Sequence, residues 1–384
     1  MKPCRIAILG STGSIGLNTL KVVDHNSKRF QVVALSAYNN FELLGEQIKK
    51  YKPSHVAIGP EGLIYFKNAG IKGVKFYPSQ DCGYLASLKE VDVVVLAMRG
   101  VSALMPFLEA LRAGKTVAPA NKEALVIAGD LIMDEALRHH ARIIPIDSEQ
   151  SAIFQCLEGQ KSRPVFVHLT ASGGPLREVR SKDFKRITPK DVLRHPRWKM
   201  GPKITVDSAT MMNKGFEVIE AKHLFNLSYS QIKVLVHPEA IVHSMVEFAD
   251  GSLLAQLGIT DMRLPIQYAL TYPDRLPTGL NRLNLAETGA LNFYEPDLKR
   301  FPALGLAFEA ARLAGSVPTV LNAADEEAVE AFLLGRIDFL SIYKVVEKVV
   351  LRHTIVKNPS LQAILQTDKW ARQEAQNIME YHLA

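Results

Sequence analysis

Residues 204 to 217 read ITVDSATMMNKGFE, placing two hydroxyls (Ser208, Thr210), an amide (Asn213), a lysine (Lys214) and Gly215 just ahead of Glu217. Neutral donors and one cation suit a phosphate, because they hydrogen-bond its oxygens and offset its charge. A carboxylate three residues further on would repel that phosphate unless a metal ion lay between them. The stretch therefore points to a phosphorylated substrate beside a metal. The plainer alternative is a polar loop leading into an amphipathic helix with Glu217 and Glu220 on its wet face.

A second acidic group stands in RIIPIDSE, where Asp147 and Glu149 flank Ser148. Read as the end of a strand, residues i and i+2 point to one side, so the two carboxylates converge and a hard divalent ion relieves their repulsion. With Glu217 added, three carboxylates and the oxygens of a sugar complete a hard-ion shell. NKEAL, at 121 to 125, opens a helix directly after the apolar run TVAPA. Lys122 can reach an anionic substrate or steady an oxyanion, while Asn121 either faces a nicotinamide or caps the helix. Further on, TASGGPLRE offers the Ser172 hydroxyl to a phosphate. The charged, irregular text that follows, as far as HPRWKMG at 195 to 201, has the character of a moving cover that carries His195, Trp198 and Met200.

The elements that must position these groups begin with the strand RIAIL, followed by GSTGSIG (Gly10, Gly13, Gly16) and a helix. Glycines in that context permit a tight turn and let backbone amides and the positive end of a helix approach a pyrophosphate. At the end of the second strand, an Asp or Glu would hold the ribose hydroxyls of NAD. The residues there are Ser36, Ala37, Tyr38, Asn39 and Asn40. The missing acid favours NADP, although no Arg or Lys is present to clamp its 2′-phosphate.

Beyond RIAIL, the runs QVVALS, HVAIG, VDVVVLAM, TVAPA and RIIPID alternate with helical patterns, including a long one from Lys122 to about His140. Unbroken β-branched runs between helices signal a parallel sheet covered on both faces. Residues 1–147 thus read as a doubly wound α/β domain of Rossmann type that binds the dinucleotide. Residues 148–272 read as an α+β domain, with PVFVHLT, KITV and KVLVH as strands, a lid at about 172–202, and a hairpin closed by a two-residue turn at Asp250-Gly251. An extended linker at 273–300 precedes a C-terminal helical bundle, 301–384.

Hydrophobic residues make up 47% of the 384, and charged residues 22%, as in ordinary globular proteins. The net charge of +7 is scattered and forms no basic arm of the kind that binds nucleic acid. Three cysteines without close spacing argue against a disulfide scaffold or a thiolate metal site. No apolar run approaches the ~20 residues that span a bilayer. The first strand begins near residue 5 and leaves no room for a leader, so the expectation is a cytoplasmic protein, or one already processed.

GSTGSIG, NKEAL, PIDSEQSAIFQCL, TASGGPLRE, HPRWKMGPKITVDSATMMNKGFEVIEA, HPEAIVHSMVEFADGSLLAQLG and LNAADEEAVEAFL, in this order, resemble the 1-deoxy-D-xylulose 5-phosphate reductoisomerase family. The resemblance implies an NADPH- and metal-dependent enzyme of the non-mevalonate isoprenoid pathway, usually a homodimer. Such an enzyme rearranges its phosphorylated sugar by retro-aldol cleavage and re-addition, then reduces the resulting aldehyde to 2-C-methyl-D-erythritol 4-phosphate. It implies cofactor contacts at Thr12, Gly13, Ser14, Ile15, Asn121, Glu123 and Gly201, and ligands for Mg2+ or Mn2+ at Asp147, Glu149 and Glu217. Ser172, Ser208, Asn213 and Lys214 match the phosphate pocket. Lys122, Ser148 and His195 match further substrate contacts, and Trp198 the aromatic of the lid. The ion would stabilise an enediolate as a Lewis acid. Lys122 and Glu149 are both candidates for proton handling, with neither role assigned. After the second strand the family commonly has Gly, a basic or small polar residue and Asn; here only Asn40 agrees, and Tyr38 and Asn39 depart. Two rivals share the first domain: a plain NADP-dependent semialdehyde or hydroxy-acid dehydrogenase, and a non-catalytic dinucleotide sensor. Neither accounts for the DSATMMNKG block or the three carboxylates.

Overall fold

Apolar β-branched runs at the start of the chain become strands because their residues are buried on both faces. The computed structural model describes residues 2–193 and 201–382. Its first part runs β1 (Cys4–Leu9), α1 (Ser14–His25), β2 (Phe30–Ser36), α2 (Phe41–Tyr51), β3 (His55–Ile58), α3 (Pro60–Ala69) and β4 (Lys75–Pro78). It continues with α4 (Cys82–Ser87), β5 (Val93–Leu96), α5 (Leu104–Arg112), β6 (Thr116–Pro119), α6 (Lys122–Arg138), β7 (Arg142–Ile143) and α7 (Ser148–Leu157). The seven strands form one sheet in the order β4-β3-β2-β1-β5-β6-β7, and every pairing is parallel. The order reverses between β1 and β5, and the crevice beyond the carboxyl ends of such a pair is where open α/β sheets bind ligands. The doubly wound expectation is met.

The remainder runs β8 (Phe166–Ala171), α8 (Pro189–Val192), α9 (Pro202–Thr210), α10 (Met212–Leu224), β9 (Ile232–Val236), β10 (Val242–Glu247) and β11 (Leu253–Leu257). Helices α11 (Arg263–Thr271), α12 (Leu285–Thr288), α13 (Pro302–Leu313), α14 (Val317–Leu333), α15 (Phe339–Arg352) and α16 (Leu361–His382) complete it. A second sheet has the order β11-β10-β8-β9, mixed in direction: β8 and β9 are parallel, the other pairs antiparallel.

The chain folds as two units that interleave in sequence. One holds Met1–Ala124, Ile132–Ser151 and Asp261–Asn281; the other holds Leu125–Leu131, Ala152–Thr260 and Arg282–Ala384. In the first, α11 returns to pack on α1, where Asn26 Nδ2 donates to Gln267 Oε1 over 3.1 Å. In the second, α14 is buried almost all round, and Phe184, Phe301, Phe332 and Phe339 form an aromatic cluster within the core.

Several local expectations fail for identifiable reasons. KITV is not a strand: Gly201 precedes Pro202 at the first helical position, where the missing N–H costs nothing, and α9 follows. The stretch 204–217 is accordingly two helices meeting at Met211, a corner with φ 66°, and Gly215 lies inside α10. The hairpin closes with three residues, 249 to 251, between the paired Phe248 and Ser252, and Gly251 takes the positive φ. The lid expected at about 172–202 falls partly outside the described residues, and its described part, 176–192, is anchored at two points. Phe184 is buried against Phe301 and Phe339, and the Arg300 guanidinium donates to the carbonyls of Leu176, Arg177 and Val179. Between 273 and 300 the only helix is the single turn α12, and Tyr294 bridges to Val236.

Candidate active site

The glycine loop after β1 is crowded enough to require its glycines at two points. Gly10 has φ +92°, and a Cβ there would stand 2.5 Å from the Ala97 carbonyl oxygen at the end of β5. A Cβ on Gly16 would stand 2.4 Å from the Gly10 carbonyl oxygen. Buried Ser11 clamps the loop from below, donating to Gln47 Oε1 at 2.6 Å through its hydroxyl and to the Ser36 carbonyl through its amide. Gly13 is the N-cap of α1 and brings no side chain to it, so the cap position leaves open the approach to the helix's first amides. Gly13 and Ser14 are exposed, and Thr12 and Ile15 half-buried, as a surface cradling an anion requires.

Tyr38 is 64% exposed, and Asn39 and Asn40 are exposed beside it. Asn40 is the N-cap of α2: its Oδ1 accepts from the Leu43 amide at 3.2 Å, which leaves the side-chain amide as a donor at that rim.

Asn121 caps α6 by accepting from the Ala124 amide at 2.8 Å, and its Nδ2 donates to the Met98 carbonyl at 3.0 Å. Its polar atoms thus hold α6 to the loop after β5. The next residue, Lys122, is buried and its Nζ rests on Asp147; Glu123 is half-buried. The geometry around Asp147 is not that of an extended strand end. After β7 the chain still bonds β6 through Ile146, but Ser148 begins α7, so Glu149 stands in a helical first turn. There the Glu149 amide donates to Asp147 Oδ1 at 3.3 Å, and Ser148 Oγ donates to Glu149 Oε2 at 2.7 Å. Asp147 and Glu149 are therefore neighbours through a helix start rather than through strand alternation.

In the other unit, the TASGGP loop leaves β8 with Gly173 and Gly174 both at positive φ. A Cβ on Gly174 would lie 2.3 Å from the Ser208 carbonyl oxygen, so the loop bearing Ser172 packs directly on α9. Within α10, Asn213 Nδ2 donates to Glu217 Oε1 at 2.6 Å, and Lys214 Nζ bonds the other oxygen of Glu217, which is 1% exposed. Gly215 serves packing: its Cβ would meet the Ala307 Cβ of α13 at 2.3 Å. His243 on β10 joins this surround unheralded by the sequence, where it stood among apolar strand residues. Burial foremost, and then the charge of Lys214, push its pKa down to about 4 against backbone hydrogen bonds that raise it, so the ring is neutral at pH 7.

The structure thus brings Lys122, Asp147, Ser148 and Glu149 together in one unit, and Ser172, Ser208, Asn213, Lys214 and Glu217 in the other. Gly201 is the N-cap of α9. His195 and Trp198 lie outside the described residues. Among the described residues, no helix is long and apolar enough to cross a membrane.

A glycine loop at the switch point of an all-parallel sheet, with a lysine and acids beyond its carboxyl edge, defines a dinucleotide-dependent α/β enzyme. Family models are more specific. Residues 6–129 match 1-deoxy-D-xylulose 5-phosphate reductoisomerase, residues 143–225 its C-terminal domain, and residues 257–374 the DXP reductoisomerase C-terminal domain. The chain belongs to the 1-deoxy-D-xylulose 5-phosphate reductoisomerase family. It is 51% identical over 373 residues to the protein of that name from Pelotomaculum thermopropionicum, covering 96% of each chain. It is 52% identical to that from Heliobacterium modesticaldum, covering 97% of this chain and 96% of the relative. Among solved structures it is similar to the reductoisomerase from Zymomonas mobilis in complex with NADPH, with TM-score 0.92, 40% identity and coverage of 99% and 100%. A DOX-P reductoisomerase in complex with NADPH, fosmidomycin and magnesium gives TM-score 0.92, 38% identity and 98% coverage of both chains.

Proposed function

We propose that this chain converts 1-deoxy-D-xylulose 5-phosphate, by rearrangement and NADPH-dependent reduction, to 2-C-methyl-D-erythritol 4-phosphate. The observation that carries this reading is similarity to reductoisomerases along nearly the whole chain, combined with donor sets that suit each participant. The crowded loop around Gly10 and Gly16 fits a pyrophosphate, and bound NADPH supplies the hydride. Asp147, Glu149 and Glu217 are three carboxylates of a kind that could hold one metal ion, and Mg2+ or Mn2+ suits their hard oxygens. Such an ion supplies Lewis-acid stabilisation of developing negative charge.

The chain's own residues do the rest. Ser172, Ser208, Asn213 and Lys214 take the substrate's phosphate: hydroxyls and an amide donate, and the lysine balances charge. Asn213 and Lys214 enter the site oriented, because both already hold Glu217. Lys122 and Glu149 handle protons at the sugar's hydroxyls, Ser148 orients Glu149 through its 2.7 Å bond, and His195 and Trp198 cover the substrate. Thr12, Gly13, Ser14, Ile15, Tyr38, Asn39, Asn40, Asn121, Glu123 and Gly201 surround the cofactor. The working divisions are 1–147 for NADPH, 148–272 for catalysis and dimerisation, 273–300 as linker and 301–384 as helical support. The active form is a cytoplasmic homodimer.

The test is consumption of NADPH on addition of 1-deoxy-D-xylulose 5-phosphate, with and without Mg2+ or Mn2+. Metal-dependent oxidation with formation of the methylerythritol phosphate is the expected result. Turnover of simple semialdehydes or hydroxy acids instead, or cofactor binding with no turnover, would overturn it in favour of a plain dehydrogenase or a dinucleotide sensor.

A further inference from the structure

Below the phosphate-gripping helices lies an ion cluster that no catalytic role uses. Lys203, in the first turn of α9, places Nζ 2.6 Å from Asp207 Oδ2 and 2.9 Å from Asp325 Oδ2. The same ammonium lies 4.6 Å from the centre of the buried Phe216 ring of α10. Asp325 belongs to α14, at the heart of the helical bundle, and is fully buried. One lysine therefore touches α9, α10 and α14. A buried charge costs several kcal/mol of desolvation unless its geometry is good, so such a cluster is weak evidence for stability and better evidence for specifying an arrangement.

The three contacts do different things. Lys203 with Asp207 is an i,i+4 pair inside α9 and fixes nothing outside it. Asp325 is the charged member on another helix. Asp207 immediately precedes Ser208, and successive residues of a helix are about 100° apart around the axis. Among the described residues neither buried oxygen of Asp325 has a hydrogen bond, so its charge is balanced by the Lys203 ammonium alone, and that ion pair draws Lys203 to α14 and biases the roll of α9 and hence the direction of Ser208. The Phe216 contact links that roll to α10, which carries Asn213 and Lys214.

We infer that Asp325 is a positioning residue: through Lys203 it sets the roll of α9 and thereby the phosphate grip of Ser208, Asn213 and Lys214. The inference rests on the reading of those three residues as the phosphate site. It gives the C-terminal bundle a part in substrate recognition without any of its residues touching substrate.

The experiment compares full-length wild type with Asp325→Asn and Asp325→Glu in the metal-loaded enzyme. Asp325→Asn leaves Lys203 its Asp207 partner, so the fold is kept, with Tm within roughly 3 °C of wild type. The expected result is a rise in KM for 1-deoxy-D-xylulose 5-phosphate on the order of ten-fold, the size that slight misplacement of binding groups produces. The Kd for NADPH, read by fluorescence without substrate, should stay within about two-fold. Asp325→Glu, which keeps the charge, should recover part of the KM. An unchanged KM overturns the inference, as does a joint fall in Tm and NADPH affinity, which would make Asp325 a general structural residue. Failure of the wild type to turn over deoxyxylulose phosphate would instead overturn the functional reading on which it rests.

Discussion

Two buried lysine–carboxylate pairs, Lys122 with Asp147 and Lys214 with Glu217, are alike in chemistry and unlike in how the chain builds them. Lys214 and Glu217 are three residues apart on α10, so one helical turn suffices to bring them together. Lys122 opens α6 and Asp147 precedes α7, so their pair exists only when β6 and the chain following β7 lie side by side. The half proposed to grip substrate is a local construction on helices. The half proposed to bear the cofactor is a construction of the sheet, and the two should fail in different ways.

The largest test is on the local pair. Glu217→Gln keeps the shape and the bond from Asn213 but removes the charge shared by Lys214 and the proposed ion. Rearrangement and reduction should both fall by at least ~10³-fold, a loss typical of removing a group needed in the transition state, while NADPH binding stays intact. Steady-state rates and a cofactor titration decide it. Reduction of the free aldehyde surviving in the variant would confine the carboxylate to the first step. Asp147→Asn should cost as much; if it spares activity, the two pairs are not equivalent in function and the comparison breaks.

Acid separates the halves next. The pKa of His243 is depressed to about 4 in the fold against an ordinary 6.5, so the unfolded chain binds the proton more readily. Stability is therefore complete above pH 6.5 and is lost as pH falls from there toward 4. The loss approaches about 3 kcal/mol if this ring alone titrates. His243→Asn should flatten urea-midpoint profiles across that window. An unaltered slope would show that other groups set the acid limit of the substrate-gripping unit.

A glycine in each half gives a matched pair of smaller effects. Gly174→Ala forces a side chain into φ +70° and against the Ser208 carbonyl, whereas Gly10→Ala does the same at φ +92° against Ala97. Each should cost on the order of 2 kcal/mol, about thirty-fold, in the affinity its own half supports. Gly174→Ala should raise KM for the sugar phosphate and leave NADPH affinity alone, and Gly10→Ala the reverse. Crossed effects would show that the halves do not bind independently.

What could be read in advance follows the same division. The parallel sheet was legible because β3 and β5 are buried along their whole length, β5 as an unbroken apolar run and β3 as one after His55. Asn213, Lys214 and Glu217 were legible because their grouping is a matter of a few residues. KITV was misread because three β-branched residues outweighed Pro202, the better signal of a helix start. Asp147 and Glu149 were correctly grouped on a wrong geometry, since nothing local announces that α7 begins at Ser148. Asp325 was invisible, standing more than a hundred residues from the lysine it meets.

The smallest effect concerns the exposed rim after β2, where Tyr38, Asn39 and Asn40 are proposed to face the cofactor. Asn40 caps α2 through Oδ1, and an aspartate caps equally well, so Asn40→Asp should leave the fold unchanged. What changes is charge: a carboxylate beside the second strand repels a 2′-phosphate and accepts from ribose hydroxyls. The ratio of NADPH to NADH affinity should fall about ten-fold, or ~1.4 kcal/mol, when both are titrated against the variant. A fall in NADPH affinity with no gain for NADH would mean that repulsion acts but the ribose lies out of reach. An unchanged ratio would move 2′-phosphate recognition away from Asn40, leaving Tyr38, 64% exposed at the same rim, as the next residue to substitute.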